Sequence, residues 1–303
     1  MQRILKITLL AIAVMLQYHC KSAPIEIKLN LEKGKEYSQT STSIMTTKTG
    51  FTNEQTMDMT ITLAGKISYL IEDVSDSAYV IEVRYKKLLM KMEAQQGAMT
   101  FDTENANDIM STGLSFLVDN PFKIVLLKNG KVSSVDMTLF WGKIETSLAK
   151  FALPAMQQEQ FMQQVHQAYG EKAFKGSFEQ GFYFFPDKAV NKGEKWQIQI
   201  ELYTNFSSLI NSEYELAEIE KDCLTITGVS IITTDGLQDA IMPSSNAEVM
   251  KYDLTGTATS NIKVDRNTGW VIESNTKQAI KGKSSIGNLE MTMEMIGDLN
   301  ITQ

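Results

Sequence analysis

From about residue 36 onward, most of the chain alternates apolar and polar side chains with a period of two, the spacing of a strand with one buried face. In QTMDMTITLAGKISYLIEDV, Met57, Met59, Ile61 and Leu63 fall on one face, and Asp58, Thr60 and Thr62 on the other. SAYVIEVRYKKLLMKM then reads as the returning strand of a hairpin. A second hairpin, FKIVLLKNGKVSSV, carries Asn129-Gly130, the strongest two-residue turn signal because both positions tolerate positive φ. Strands resume after Gly193 with KWQIQIELY, EYELAEIE, CLTITGVSII and TGTATSNIKVDRNTGWVIESNTKQAI. In the closing LEMTMEMIGDLNIT, the odd positions Leu289, Met291, Met293, Met295, Leu299 and Ile301 share a face.

Helical spacing is confined to the middle of the chain. Ile109, Leu114 and Leu117 recur at helical intervals and must stop before Pro121. Leu139/Phe140, Ile144, Leu148, Phe151, Pro154, Phe161, Val165 and Tyr169 follow, and Phe174, Phe178, Phe182 and Phe185 extend the pattern. Strands and helices do not alternate, which argues against a parallel doubly wound sheet and for an α+β, mainly antiparallel fold.

The strand regions also echo each other. LEKGKEYSQT (31–40) matches VNKGEKWQIQ (190–199), YLIEDVSDSAYVI from Tyr69 matches YELAEIEKDCLTI from Tyr214, and LLKNGKVSSV matches VDRNTGWVIE. Three blocks in one order are what a duplicated β-meander would leave, although strand-turn-strand segments also resemble one another without common origin. The expected organisation is a single β-rich domain over 23–303, with repeats at 31–135 and 190–301 around a helical insert at 136–185.

Arg3 and Lys6 precede an apolar run from Ile7 to Leu16, the layout of a secretory signal peptide removed near residue 22. The run is too short to cross a bilayer, so the chain is expected outside the cytoplasm: in the periplasm, at the outer membrane, or secreted. Cys20 is either a lipid-bearing first residue, giving membrane association through an anchor, or part of the leader. The formal charge is −7, and losing Arg3, Lys6 and Lys21 takes it to −10, which argues against nucleic acid as a partner. Without Cys20, Cys223 has no intrachain disulfide partner.

LEKGKEYSQ, SAYVIEVRYKKLLMKM, FDTEN, DNPFKIVLLKNGKVSSV, FPDKAVNKGEKW and DRNTGWVIES together resemble an uncharacterised cell-envelope family of Gram-negative bacteria, a domain of unknown function. KVDRNTGWVIES is also similar to a hairpin of periplasmic lipoprotein carriers and related lipid-binding lipoproteins. That second resemblance implies a strongly curved sheet, or half-open barrel, packed on a few central helices.

The chemistry on offer is sparse. His166 is the only histidine beyond the leader, and neither G-x-S-x-G nor H-E-x-x-H accompanies it. The carboxylates at 72–76 and 213–220 alternate like the wet face of strands. No catalytic residue, metal site or cofactor is assigned. Methionine is the compositional oddity, at 17 residues, with strips at Met57/Met59, Met90/Met92 and Met291/Met293/Met295. Flexible, polarizable thioethers suit a surface that accepts apolar ligands of variable shape, and they equally suit an ordinary core. The leading expectation is a non-enzymatic envelope protein that binds a lipid, acyl chain or lipoprotein in an apolar groove between sheet and helices, lined by those seven residues. The alternatives are a solid-cored interaction module and, further off, a carboxylate-dependent hydrolase.

Overall fold

The fold is described from a computed structural model, for residues 23–303 apart from 52–54, 106–110, 112–113, 116, 119, 149–155, 157–158, 160–161, 163–169, 204–206, 235–239 and 242–248. The alternating segments form one antiparallel sheet of 13 strands. In chain order they are β1 (Glu36–Phe51), β2 (Thr56–Val74), β3 (Ala78–Ala94), β4 (Gly97–Asp102), β5 (Phe122–Leu127), β6 (Val132–Asp136), β7 (Lys195–Tyr203), β8 (Ser207–Ile219), β9 (Cys223–Thr233), β10 (Ala240–Ile241), β11 (Val249–Asp265), β12 (Val271–Ile286) and β13 (Leu289–Thr302). Their order across the sheet is β6-β5-β3-β2-β1-β13-β12-β11-β9-β8-β7, with β4 beside β3 and β10 beside β11. The first strand thus lies against the last, Thr40 opposite Thr302.

The sheet does not close on itself. Its end strands, β6 and β7, are consecutive in sequence, and the segment between them carries α1 (Thr138–Leu148) and α2 (Glu171–Phe182). α2 packs against both β6 and β7, so it bridges the two edges that an open sheet would otherwise expose. Phe174, Phe178 and Phe182, four residues apart, form its buried stripe. Phe174 meets Phe122 at 5.0 Å, and Phe182 meets Tyr69 at 5.5 Å and Trp270 at 5.4 Å between ring centroids. Tyr37 completes this aromatic floor, 4.7 Å from Trp270. Each such ring contributes about 1.5–3 kcal/mol by burial. On the flank of α2, Gly176 lets the helix approach the β7 backbone: a Cβ there would lie 2.8 Å from the Glu201 carbonyl oxygen.

The fold is mainly antiparallel β, and helix is confined to the middle of the chain as expected: besides α1 and α2, the described residues Ser111, Leu114, Ser115, Leu117 and Val118, and Met156, Glu159 and Met162, are helical. The helical pattern over Phe174–Phe185 stops early, because α2 ends at Phe182 and Tyr183 leaves helical geometry with φ −90° and ψ 74°. Phe185 precedes Pro186, and a residue before proline avoids the α region. Phe184 and Phe185 are nonetheless buried, as extended chain. The Asn129-Gly130 turn differs as well. Leu127 pairs with Lys131 around a three-residue loop, with Gly130 at φ 85°, in place of a two-residue turn.

The matched sequence blocks adopt matched geometry. Gly34 and Gly193 both have φ 82°. The Gly34 N–H donates to the Ile71 carbonyl and the Gly193 N–H to the Leu216 carbonyl, each at 2.8 Å. Register shifts follow at Ile71/Asp73 in β2–β3 and at Leu216/Glu218 in β8–β9. The run β1-β2-β3-β5-β6 therefore has its counterpart in β7-β8-β9-β11-β12, with β13 inserted between β1 and β12.

Candidate functional site: the inner wall of the sheet

The strand registers bring all seven proposed methionines to one face. Met57 is opposite Thr49, itself opposite Met293, and Met59 is opposite Thr47, itself opposite Met295. Met90 is opposite Leu63, Met92 opposite Ile61, and Met291 opposite Phe51. This is also the face of Tyr37 and Tyr69, because β1 and β2 pair without interruption from Tyr37↔Tyr69 to Thr49↔Met57. In β3 the apolar parity changes from odd (Ile81, Val83) to even (Leu88, Met90, Met92). A register shift beside Lys87 absorbs the extra residue and keeps every one of them on the inner side.

Along this wall the environment changes with height. At one end lies the aromatic floor beneath α2. At the other, Met291 and Met295 are buried, Met59, Met90, Met92 and Met293 are half-buried, and Met57 and Leu63 are 39% and 44% exposed. The strands thus carry an apolar inner wall that the fold covers only in part, while exposed apolar side chains also stand on the outer face at Ile44, Val229, Ile231 and Ile296.

Between the two ends runs a belt of hydroxyl and amide side chains on the same face. Ser212 and Ser230 bond each other at 2.8 Å across β8 and β9, and Ser230 is opposite Ala258, which is opposite Gln278. Ser260 is opposite Thr276. These residues, with Ser274 and Gln180 of α2, line a cavity of about 120 Å³. The Ser260 hydroxyl is shut off from solvent and has no hydrogen-bond partner among the described residues. Sequence reading overlooked the belt. Its signal was serine and threonine at Ser260, Ser274 and Thr276, on the parity of buried Ile262 and Ile280.

A second concavity, about 600 Å³, lies between α2 and β7. It combines Lys131, Lys172 and Lys175 with Glu179, Asp187 and Glu201. Lys131 sits over the Tyr183 ring and Lys172 over the Tyr203 ring, so the cleft's own charges already cover its aromatic faces. Glu179, 6% exposed, accepts the Val132 N–H at 3.1 Å, and burial raises its carboxyl pKa. It thereby satisfies a backbone donor at the start of edge strand β6.

Cys223 is buried at the start of β9 and donates its thiol to Glu220 Oε2 at 3.1 Å. That bond, with burial, raises the thiol pKa, the opposite of an activated nucleophile. Among the described residues no group of three His, Cys, Asp or Glu could hold a metal ion, and no helix is long and apolar enough to cross a membrane. Cys20, the leader and His166 lie outside the described residues.

The architecture defines a class: an open antiparallel half-barrel, its seam bridged by a helix and its inner wall graded from aromatic through hydroxyl to methionine. The chain belongs to the Family of unknown function (DUF6263), whose model matches residues 76–271. No curated protein matches it. Among solved structures it is similar to one titled "Lipid-protein interactions in lipovitellin", at 8% identity and TM-score 0.46 over 89% of this chain, and it spans 25% of that one. It is also similar to the COG4313 outer membrane channel from Pseudomonas putida F1, at 7% identity, TM-score 0.28, and 90% and 97% coverage of the two chains. A third is Ail, the attachment invasion locus protein of Yersinia pestis, at 4% identity, TM-score 0.13, and 89% and 99% coverage.

Proposed function

We propose that the protein is a non-enzymatic, exported envelope protein that holds a lipid, an acyl chain or an acylated protein against the methionine wall of its half-barrel. The observation that carries this reading is the wall itself. Met57, Met59, Met90, Met92 and Met293 line one face with Leu63, and the fold leaves them exposed or half-exposed. Methionine also fills irregular gaps in packed cores, but on an open wall it adds the ability to remould around chains of different length and unsaturation. The cavity of about 120 Å³ is smaller than the roughly 300–1,000 Å³ of a whole-ligand pocket, so the proposed ligand surface is the open wall.

The test is organic extraction of the purified full-length protein followed by mass spectrometry, together with titration of an anilinonaphthalene dye. Co-purifying acyl chains, and dye binding that the double variant Leu63→Glu/Met92→Glu weakens at least tenfold, are expected. Extracts free of lipid together with no dye binding overturn the reading. Export follows from the leader sequence, and intact-mass analysis of protein recovered from the envelope checks it: a mass beginning near Ala23, or a lipid-modified Cys20, is expected.

A further inference from the structure

We infer that the hydroxyl belt receives the polar head of the bound amphiphile, and that this head is uncharged, as in a monoacylglycerol or a fatty alcohol. The inference rests on the methionine-wall reading and adds the orientation and the chemical class of the ligand.

Three observations carry it. First, the belt and the methionine wall are neighbouring stretches of one face. Thr276 is opposite Leu299, which is opposite Ser43 and then Leu63, so a single chain can touch both. Secondly, the cavity is walled by neutral hydroxyl and amide side chains, among them Ser274, Thr276, Gln278 and Gln180, which can exchange hydrogen bonds with a ligand hydroxyl. The Ser260 hydroxyl is not one of the groups a ligand meets: closed to solvent, it is tucked against Gly228, where a Cβ would come within 2.4 Å of it and 2.6 Å of the Tyr214 ring. Thirdly, the lining contains no lysine or arginine. Its one acidic residue, Asp298, directs its carboxylate to the outer face, where it accepts amide hydrogens from Asn275 and Asn300 at 3.0 and 2.8 Å. A carboxylate or phosphate head would therefore be desolvated with no cation to meet it. A cavity of about 120 Å³ fits a head group and not a whole ligand.

The experiment titrates the full chain, freed of lipid on hydrophobic resin, with 1-oleoylglycerol, oleyl alcohol and oleate at pH 8, each read by displacement of the anilinonaphthalene dye. The two neutral amphiphiles are expected to bind at least tenfold more tightly than oleate, which shares their chain. Thr276→Val is expected to weaken 1-oleoylglycerol about five- to tenfold, the value of one hydrogen bond, while dye binding stays unchanged. Ser230→Leu, which fills the hollow, is expected to abolish the preference for neutral heads, and unchanged dye binding certifies that it has folded. Equal affinity for oleate and 1-oleoylglycerol, or no effect of Thr276→Val, overturns the head-group inference while leaving the apolar wall intact. Absence of dye binding in the unaltered protein overturns both.

Discussion

At the scale of single residues, the fold is held by side chains whose chemistry alone would have suggested other roles. Glu179 is the clearest case, a carboxylate in a cleft that works as a backbone acceptor on the β6 edge. Burial raises its folded-state pKa above the unfolded value, so its stabilising contribution is complete below the unfolded pKa and is lost as pH rises through the folded one. Glu179→Gln keeps the acceptor oxygen and removes the titration. The variant is expected to melt at a higher temperature than the parent near pH 8, with the gap closing as pH falls below the ordinary carboxylate range. Parallel thermal melts from pH 4 to 8 measure this. Gly130 and Gly34 separate two meanings of positive φ. Both are left-handed, but a side chain at Gly130 would drive into the Phe182 carbonyl, whereas one at Gly34 meets open space. Gly130→Ala is expected to cost about 2–4 kcal/mol and Gly34→Ala about 1 kcal/mol, read from urea midpoints.

At the scale of elements, the bulge beside Lys87 decides which way the end of β3 faces. Deleting Lys87 removes the extra residue and restores plain alternation from Tyr85, so Leu88 stays opposite Gly65 and Leu88, Met90 and Met92 keep the inner side. That deletion is expected to leave dye binding intact, whereas deleting Leu89, beyond the bulge, turns Met90 and Met92 to the outer side and is expected to lose most of it, by fluorescence titration. Much of this level was legible in the chain. Strict alternation in β1, β2 and β13 was enough to place Met57, Met59, Met291, Met293 and Met295 on common faces, because the pleat has period two whatever the strand pairs with. The bulge was visible only as a parity change from Val83 to Leu88, which two adjacent lysines disguised. α2 was found from its phenylalanines but drawn too long, since Phe185 keeps the spacing while Pro186 forbids the helix. The turns at Gly34 and Gly193 are equivalent, and equivalent register shifts follow them.

At the scale of the whole molecule, strand order is where sequence reading ran out. Nothing local to Glu36–Phe51 says that its neighbour is Leu289–Thr302, because that pairing depends on how the completed sheet curves back around α2. The belt was illegible for a related reason: Ser212, Ser230, Ser260 and Thr276 come from four strands and form one surface only once these lie side by side. Hydrogen exchange should report the same hierarchy, with amides of β1, β12 and β13 at the sheet centre the slowest and those of edge strands β4 and β7 exchanging several orders of magnitude faster.

The β1–β13 pairing also sets the timetable of folding. A chain that emerges from its N-terminus delivers β1 early, yet one side of that strand stays without its partner until the final segment arrives. The two meanders can form as each is completed, but their union awaits the last residues, and loop-closure entropy makes so distant a pairing slow. Until then two apolar sheets stand with open margins, and loss of β13 would leave sticky halves in place of a shorter protein.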